Sequence, residues 1–174
     1  MPVFLLGFMG CGKSTLGRQL ALALNFSFID LDYRIEEKLG KSINQLFEDY
    51  GEMGFRQIER EVLSEICATE KNAVVALGGG TPCYFDNMQQ VNHSGWSVYL
   101  KTSPQGLFNR LKLQKDHRPL LRNKNDHELL EFIEEKLEQR EKFYDEARLT
   151  FSTESGTVQE LKQLLEENGF GAGR

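Results

Sequence analysis

The sequence predicts an α/β domain: short strands alternate with helices and assemble into a mostly parallel sheet covered on both faces. Three observations carry this. Runs such as Val3-Phe4-Leu5-Leu6 and Ala73 to Leu77 are apolar throughout, as strands buried on both faces require. Between such runs lie stretches with apolar residues three or four apart, the period of a helix with one inner stripe. A glycine-rich turn, Gly7 to Gly12, separates the first apolar run from the first helical pattern.

The elements follow in order. Val3 to Leu6 is the first strand, and Lys13 to Leu24 the first helix, with Leu16, Leu20 and Leu24 on its inner face. Phe26 to Ile29 is a second strand ending in Asp30-Leu31-Asp32. Tyr33 to Leu39 is helical and stops at Gly40. Ser42 and Gln45 form a capping box that opens a helix from Ile43 to about Tyr50. Glu52 to Ala68 continues as a separate helix, with Ile58, Val62 and Ile66 in register. Ala73 to Leu77 is the third strand and runs into Gly78-Gly79-Gly80. Trp96 to Leu100 is the fourth, followed by a helix from Pro104 to about Leu113 and a basic stretch without periodicity. Asp126 to Tyr144 is a long helix, Leu149 to Thr153 a fifth strand and Val158 to Glu167 a closing helix. The glycine-rich tail, residues 169–174, is expected to fray.

Length and composition bound the function. The chain has 174 residues, enough for one domain with a core of its own. Its net charge of -5 argues against nucleic acid as a main partner. No apolar run nears the ~20 residues of a membrane span, and the start lacks the basic region of a secretory signal. A cytoplasmic protein without membrane contact is expected, and the mixed surface charge points to a monomer. The cysteines, Cys11, Cys67 and Cys83, are widely spaced and read as free thiols.

In parallel sheets, ligands sit outside the carboxyl ends of the strands, and the informative residues cluster there. Gly7-Phe8-Met9-Gly10-Cys11-Gly12-Lys13-Ser14 fits G-x-x-x-x-G-K-[ST], between a strand and a helix. Its backbone N–H groups and the helix dipole suit phosphate oxygens, Lys13 the β and γ phosphates, and the Ser14 hydroxyl Mg²⁺. Cys11 reads as a small residue filling the loop; an exposed thiol there would be reactive.

Asp30 and Asp32, two residues apart in an extended chain, share a face. One can reach Mg²⁺ through water and the other orient or deprotonate a hydroxyl; alternatively, Asp32 caps the next helix. Arg56 shares a helix face with Glu59, so a carboxylate can hold its planar fork against an anionic substrate. Arg140 and Tyr144 make a similar pair, though helical arginines are often only solvated surface. Gly78-Gly79-Gly80 is either a flexible turn or a backbone wall against a ligand. Between Arg110 and Lys124, six cations face one acid, Asp116. That run reads as a solvated face or as a lid, and a lid could deliver an arginine to a transition state. His93, His117 and His127 read as surface residues.

Taken together, these motifs resemble those of shikimate kinase, from Val3 to about Glu167. The carrying residues are Gly7 to Thr15, Asp30-Leu31-Asp32, Phe55-Arg56-Gln57-Ile58-Glu59, Gly78-Gly79-Gly80, Arg118-Pro119-Leu120-Leu121 and Arg140-Glu141-Lys142-Phe143-Tyr144. The resemblance implies transfer of the ATP γ-phosphoryl group to the 3-hydroxyl of shikimate, on the route to chorismate and the aromatic amino acids. It implies a P-loop kinase fold similar to the nucleoside monophosphate kinases. Its sheet has five parallel strands in order 2-3-1-4-5. The expected single domain spans 1–174, with a mobile lid at about 112–124 and a substrate-binding helical region at about 32–60.

By the same resemblance, Lys13, Asp32 and Arg118 are catalytic, with Asp32 the candidate base. Gly10, Cys11, Gly12, Lys13, Ser14, Thr15 and Arg118 bind ATP, and Arg110 lies on the adenine. Asp32 contacts the shikimate hydroxyls, and Arg56 and Arg140 grip its carboxylate, with Gly78, Gly79 and Gly80 beside the ring. Ser14 ligates Mg²⁺, and Asp30 reaches it through water. Cys11 stands where the family more often has another small residue, and Leu111 to His117 follows no family pattern.

Overall fold

A computed structural model describes residues 1–114, 121 and 123–171. Five strands form one sheet in the order β2-β3-β1-β4-β5. They are β1 (Val3–Leu6), β2 (Ser27–Asp30), β3 (Ala73–Ala76), β4 (Trp96–Lys101) and β5 (Leu149–Ser152). Every pairing is parallel, with Val3 opposite Val74 on one side of β1 and Trp96 on the other. The strands β1 and β3 are buried along their whole length, the consequence of their unbroken apolar runs.

The helices are α1 (Lys13–Leu24), α2 (Leu31–Leu39), α3 (Ile43–Thr69), α4 (Asn87–Ser94), α5 (Pro104–Lys112), α6 (Asp126–Tyr144) and α7 (Val158–Glu167). Helix α1 packs on α7 and β3, α2 on α3, α3 on α4, and α5 on α6. Leu20, Leu63, Ile66, Leu107, Ile133 and Leu161 carry the helical stripes into the core. Among the described residues, no helix is long and apolar enough to cross a membrane.

Five departures from the sequence expectation have physical reasons. Strand β2 starts at Ser27, because the Phe26 N–H is taken by the Ala21 carbonyl, 2.8 Å away, where α1 ends on left-handed Asn25. Helix α2 begins at Leu31, so Asp32 lies in its first turn and shares no extended strand with Asp30. It is Asp30, not Asp32, that caps this helix, accepting from the Tyr33 N–H. The two helices expected around Tyr50 run as one element, α3, kinked at Gly51 (φ 68°, ψ -179°), a conformation open essentially to glycine alone. A short 3₁₀ turn (Thr81–Cys83) and α4 occupy residues to which the sequence pattern gave no element. Finally, Phe170 is docked: its ring meets those of Phe26 and Trp96 edge-on at 6.0 and 6.4 Å. Fraying therefore does not begin at residue 169.

The expected lid falls between α5 and α6, whose ends are tied by Lys112 to Asp126 at 2.5 Å. Leu121 is buried in the core. Lys115, Asp116, His117, Arg118 and Arg122 lie outside the described residues.

Candidate active site

A cavity of about 610 Å³ opens at the carboxyl edge of the sheet. Residues 9–16 form one wall, and Asp30, Asp32, Gly78, Gly79, Arg110 and Thr153 are among the others. The topology explains the convergence. Strands β1, β2 and β3 are neighbours, so the segments that follow them meet at one edge.

The loop after β1 turns through Gly10 and Gly12 at φ 81° and 103°, and Gly12 opens α1 without a side-chain cap. The first N–H groups of α1 thus remain available to an anion. The Lys13 ammonium donates to the carbonyls of Gly7 (2.8 Å) and Phe8 (3.0 Å), lying over the loop that it closes. Cys11 is buried, its sulfur 3.8 Å from that ammonium, and fills the loop instead of presenting a thiol to solvent. The Ser14 hydroxyl donates to Asp30 Oδ2 at 2.9 Å, joining the helix start to the end of β2. Thr15 is exposed on the cavity wall.

Asp32 reaches the same cavity from the first turn of α2. Burial pushes its carboxyl up to about 6, and the neighbouring carboxylates of Glu59 and Asp30 add to the rise, while Lys13 and Arg56 oppose it. A carboxyl titrating there is ionised at neutral pH, yet more basic than an ordinary aspartate.

Arg56 is buried on α3 and ion-paired to Glu59 at 2.9 Å, one helical turn away. Tyr84 lies 4.4 Å from the guanidinium carbon, and its hydroxyl donates to Glu52 at 2.6 Å. Glu52 also stands 3.7 Å from Arg56. The Arg56 Nε–H is buried without a partner among the described residues.

The glycine triplet packs against these groups. A Cβ on Gly80 would lie 2.5 Å from Arg56 Nη2, and one on Gly78 would lie 2.9 Å from Glu59 Oε1 and 3.1 Å from Asp32 Oδ1. A Cβ on Gly79 would lie 3.4 Å from Arg140 Nη1. Buried Tyr144 donates from its hydroxyl to the Gly79 carbonyl at 2.6 Å, and Arg140 faces the ring of Phe8 at 5.6 Å. The two arginines therefore approach the triplet from different helices.

Arg110 lines the cavity and donates to the carbonyls of Cys11 (3.0 Å) and Thr153 (2.9 Å), linking α5 to the loop and to the end of β5. Arg118 lies outside the described residues. His93 and His127 are exposed, and among the described residues no cluster of three or more His, Cys, Asp or Glu side chains could hold a metal.

The sequence did not single out Thr81, Tyr84, Glu52 or Thr153. Thr81 follows the glycine triplet directly, which is a usable signal; the others meet the site only through tertiary contacts.

The family model described as shikimate kinase matches residues 9–167. The shikimate kinase of Bacteroides thetaiotaomicron is 44% identical over 172 residues, covering 94% of this chain and 98% of that protein. The shikimate kinase of Phocaeicola vulgatus is 48% identical over 152 residues, 87% of this chain and 86% of that one. The crystal structure of the Bacteroides thetaiotaomicron enzyme superimposes with a TM-score of 0.90, covering 95% of this chain and 98% of that chain. That of shikimate kinase from Acinetobacter baumannii in complex with shikimate gives 0.84 at 35% identity, over 97% of this chain and 94% of that chain.

Proposed function

The chain belongs to the shikimate kinase family, and from that premise we propose how its residues share the reaction. That reaction moves the γ-phosphoryl group of ATP to the 3-hydroxyl of shikimate, giving shikimate 3-phosphate and ADP, in aromatic amino acid biosynthesis. The observation that carries the division of labour is one cavity that joins the phosphate-type loop to Asp32, Gly78 and Gly79, with Arg140 against Gly79 and Arg56 against the adjoining Gly80.

Gly10, Cys11, Gly12, Ser14 and Thr15 offer backbone N–H groups to the ATP phosphates, and the Lys13 charge exchanges its loop carbonyls for phosphate oxygens. Arg110 packs beside the adenine, and Arg118 approaches the phosphates from a lid at about 112–124. Arg56 and Arg140 bind the shikimate carboxylate. Gly78, Gly79 and Gly80 let the ring come close to the backbone. Residues 32–60 form the substrate-binding helical region of a single domain, 1–174, that works as a cytoplasmic monomer.

Asp32 accepts a hydrogen bond from the attacking hydroxyl and takes its proton as the phosphoryl group arrives. Its raised carboxyl suits that exchange near neutral pH. In a loose transition state little proton removal is needed early, so much of the gain comes from alignment and charge.

The family implies Mg²⁺, and the donors present fit it. Ser14 and Asp30 place a hydroxyl and a carboxylate together at the cavity. Magnesium takes hard oxygen ligands and needs few from protein, completing its shell with water and phosphate. Ser14 would bind it directly and Asp30 through water. The ion, when bound, neutralises charge on the β and γ phosphates.

The test is a coupled ADP-release assay with shikimate, gluconate and nucleoside monophosphates as acceptors. Release with shikimate alone is expected. Turnover with gluconate and none with shikimate overturns the reading.

A further inference from the structure

We propose that Thr81 is a positioning residue for the shikimate carboxylate clamp, holding Glu59 so that Arg56 presents its fork to the substrate. The proposal rests on the reading of Arg56 given above. Thr81 is fully buried, and its hydroxyl donates to Glu59 Oε1 at 2.6 Å. The other oxygen of that carboxylate, Oε2, accepts from Arg56 Nη1 at 2.9 Å. Each Glu59 oxygen thus has a fixed partner, and the chain Thr81–Glu59–Arg56 runs through groups with almost no contact with water.

Thr81 is itself held. The Asn87 side-chain amide, buried on α4, donates to the Thr81 carbonyl at 2.8 Å, and the Thr81 N–H donates to the Gly78 carbonyl at 3.1 Å. The 3₁₀ turn and α4 therefore fix the hydroxyl from behind. The point that a Gly78 Cβ would occupy lies 2.9 Å from both Thr81 Oγ1 and Glu59 Oε1 and 3.1 Å from Asp32 Oδ1. Glu59 thus stands close to the carboxylate assigned to the acceptor hydroxyl. Without the Thr81 donor, Glu59 Oε1 is buried without its partner, and a side-chain rotation to recover one would carry the Arg56 fork with it. Among the described residues, the nucleotide loop shares no hydrogen bond with Thr81, Glu59 or Arg56.

The experiment compares Thr81→Val, Thr81→Ala and Thr81→Ser with Arg56→Lys in steady-state kinetics, varying shikimate and ATP separately. Loss of the hydroxyl in Thr81→Val is expected to raise the shikimate KM about tenfold, the loss of one hydrogen bond to a charged group, with the ATP KM within about twofold of the parent. Thr81→Ala is carried alongside, so that a fold lost to the bulkier methyl still leaves a readable variant. Thr81→Ser keeps the donor and is expected to restore the shikimate KM. A raised shikimate KM in Arg56→Lys with an unchanged one in both donor-less variants overturns the Thr81 proposal alone. An unchanged KM in Arg56→Lys removes the clamp and this proposal with it. Equal rises for both substrates, or no rescue by serine, would mark Thr81 as part of the scaffold only and also overturn it.

Discussion

Asp32 is set between opposing charges, and its titration near 6 has two measurable consequences. As the proton acceptor it must be ionised, so kcat/KM for shikimate should fall tenfold per unit as pH drops below about 6. An acid limb near the ordinary carboxylate value of 3.8 would contradict this. The second consequence concerns stability. The folded chain holds the Asp32 proton more tightly than the unfolded chain, so ionisation opposes folding. That cost is absent below about 4, grows between about 4 and 6, and is complete above. Asp32→Asn should therefore stabilise the protein at pH 7.5 by about 1–2 kcal/mol in urea unfolding, while lowering kcat by about a hundredfold. A variant both slower and less stable would show that the carboxylate serves the fold. At this scale the Arg56–Glu59 pair was readable, because three residues on a helix is a fixed geometry. The donor to Glu59, Thr81, was not, since 22 residues of chain separate the two and only the tertiary fold brings them together.

Gly51 shows what an element adds. A Cβ there would meet nothing within 4 Å, so any penalty is backbone strain alone. Gly51→Ala should cost about 1–3 kcal/mol of stability by thermal or urea unfolding. It should also raise the shikimate KM. The kink sets residues 43–50 against the Arg56 segment, with the Phe47 and Phe55 rings stacked at 4.3 Å across it. A variant of parental stability and KM would mean that the kink is incidental. The capping box of Ser42 and Gln45, read from the sequence and present in the structure, shows how far local chemistry can mark a helix start. Helix α4 was illegible for the opposite reason. Its N-cap, Asp86, makes no side-chain cap bond, and only Met88 and Val91 supply an apolar stripe. The step from β2 to α2 was displaced because a residue that caps a helix and one that ends a strand share the same extended backbone, as Asp30 does.

For the whole molecule, alternating strands and helices made the layered class readable, but the strand order followed from likeness to a family. Nothing local to β1 says that β3 and β4 will flank it. The chain's end is tied in by tertiary contact as well. Phe170→Ala removes a half-buried ring from Phe26 and Trp96 and should cost about 1–2 kcal/mol in urea unfolding, with kcat unchanged. A midpoint equal to the parent's would return residue 170 to the frayed tail.

The central place of β1 bears on how the polypeptide is made. Of the five strands, the one that carries the nucleotide loop is made before the others, yet its neighbours are β3 and β4, the second of which ends at Lys101. Until Ala76 has emerged that strand has no partner, and until Lys101 has emerged it is paired on one side only. A nascent chain halted short of Lys101 should then fail to retain ATP, and competence should arrive abruptly during translation instead of building up residue by residue.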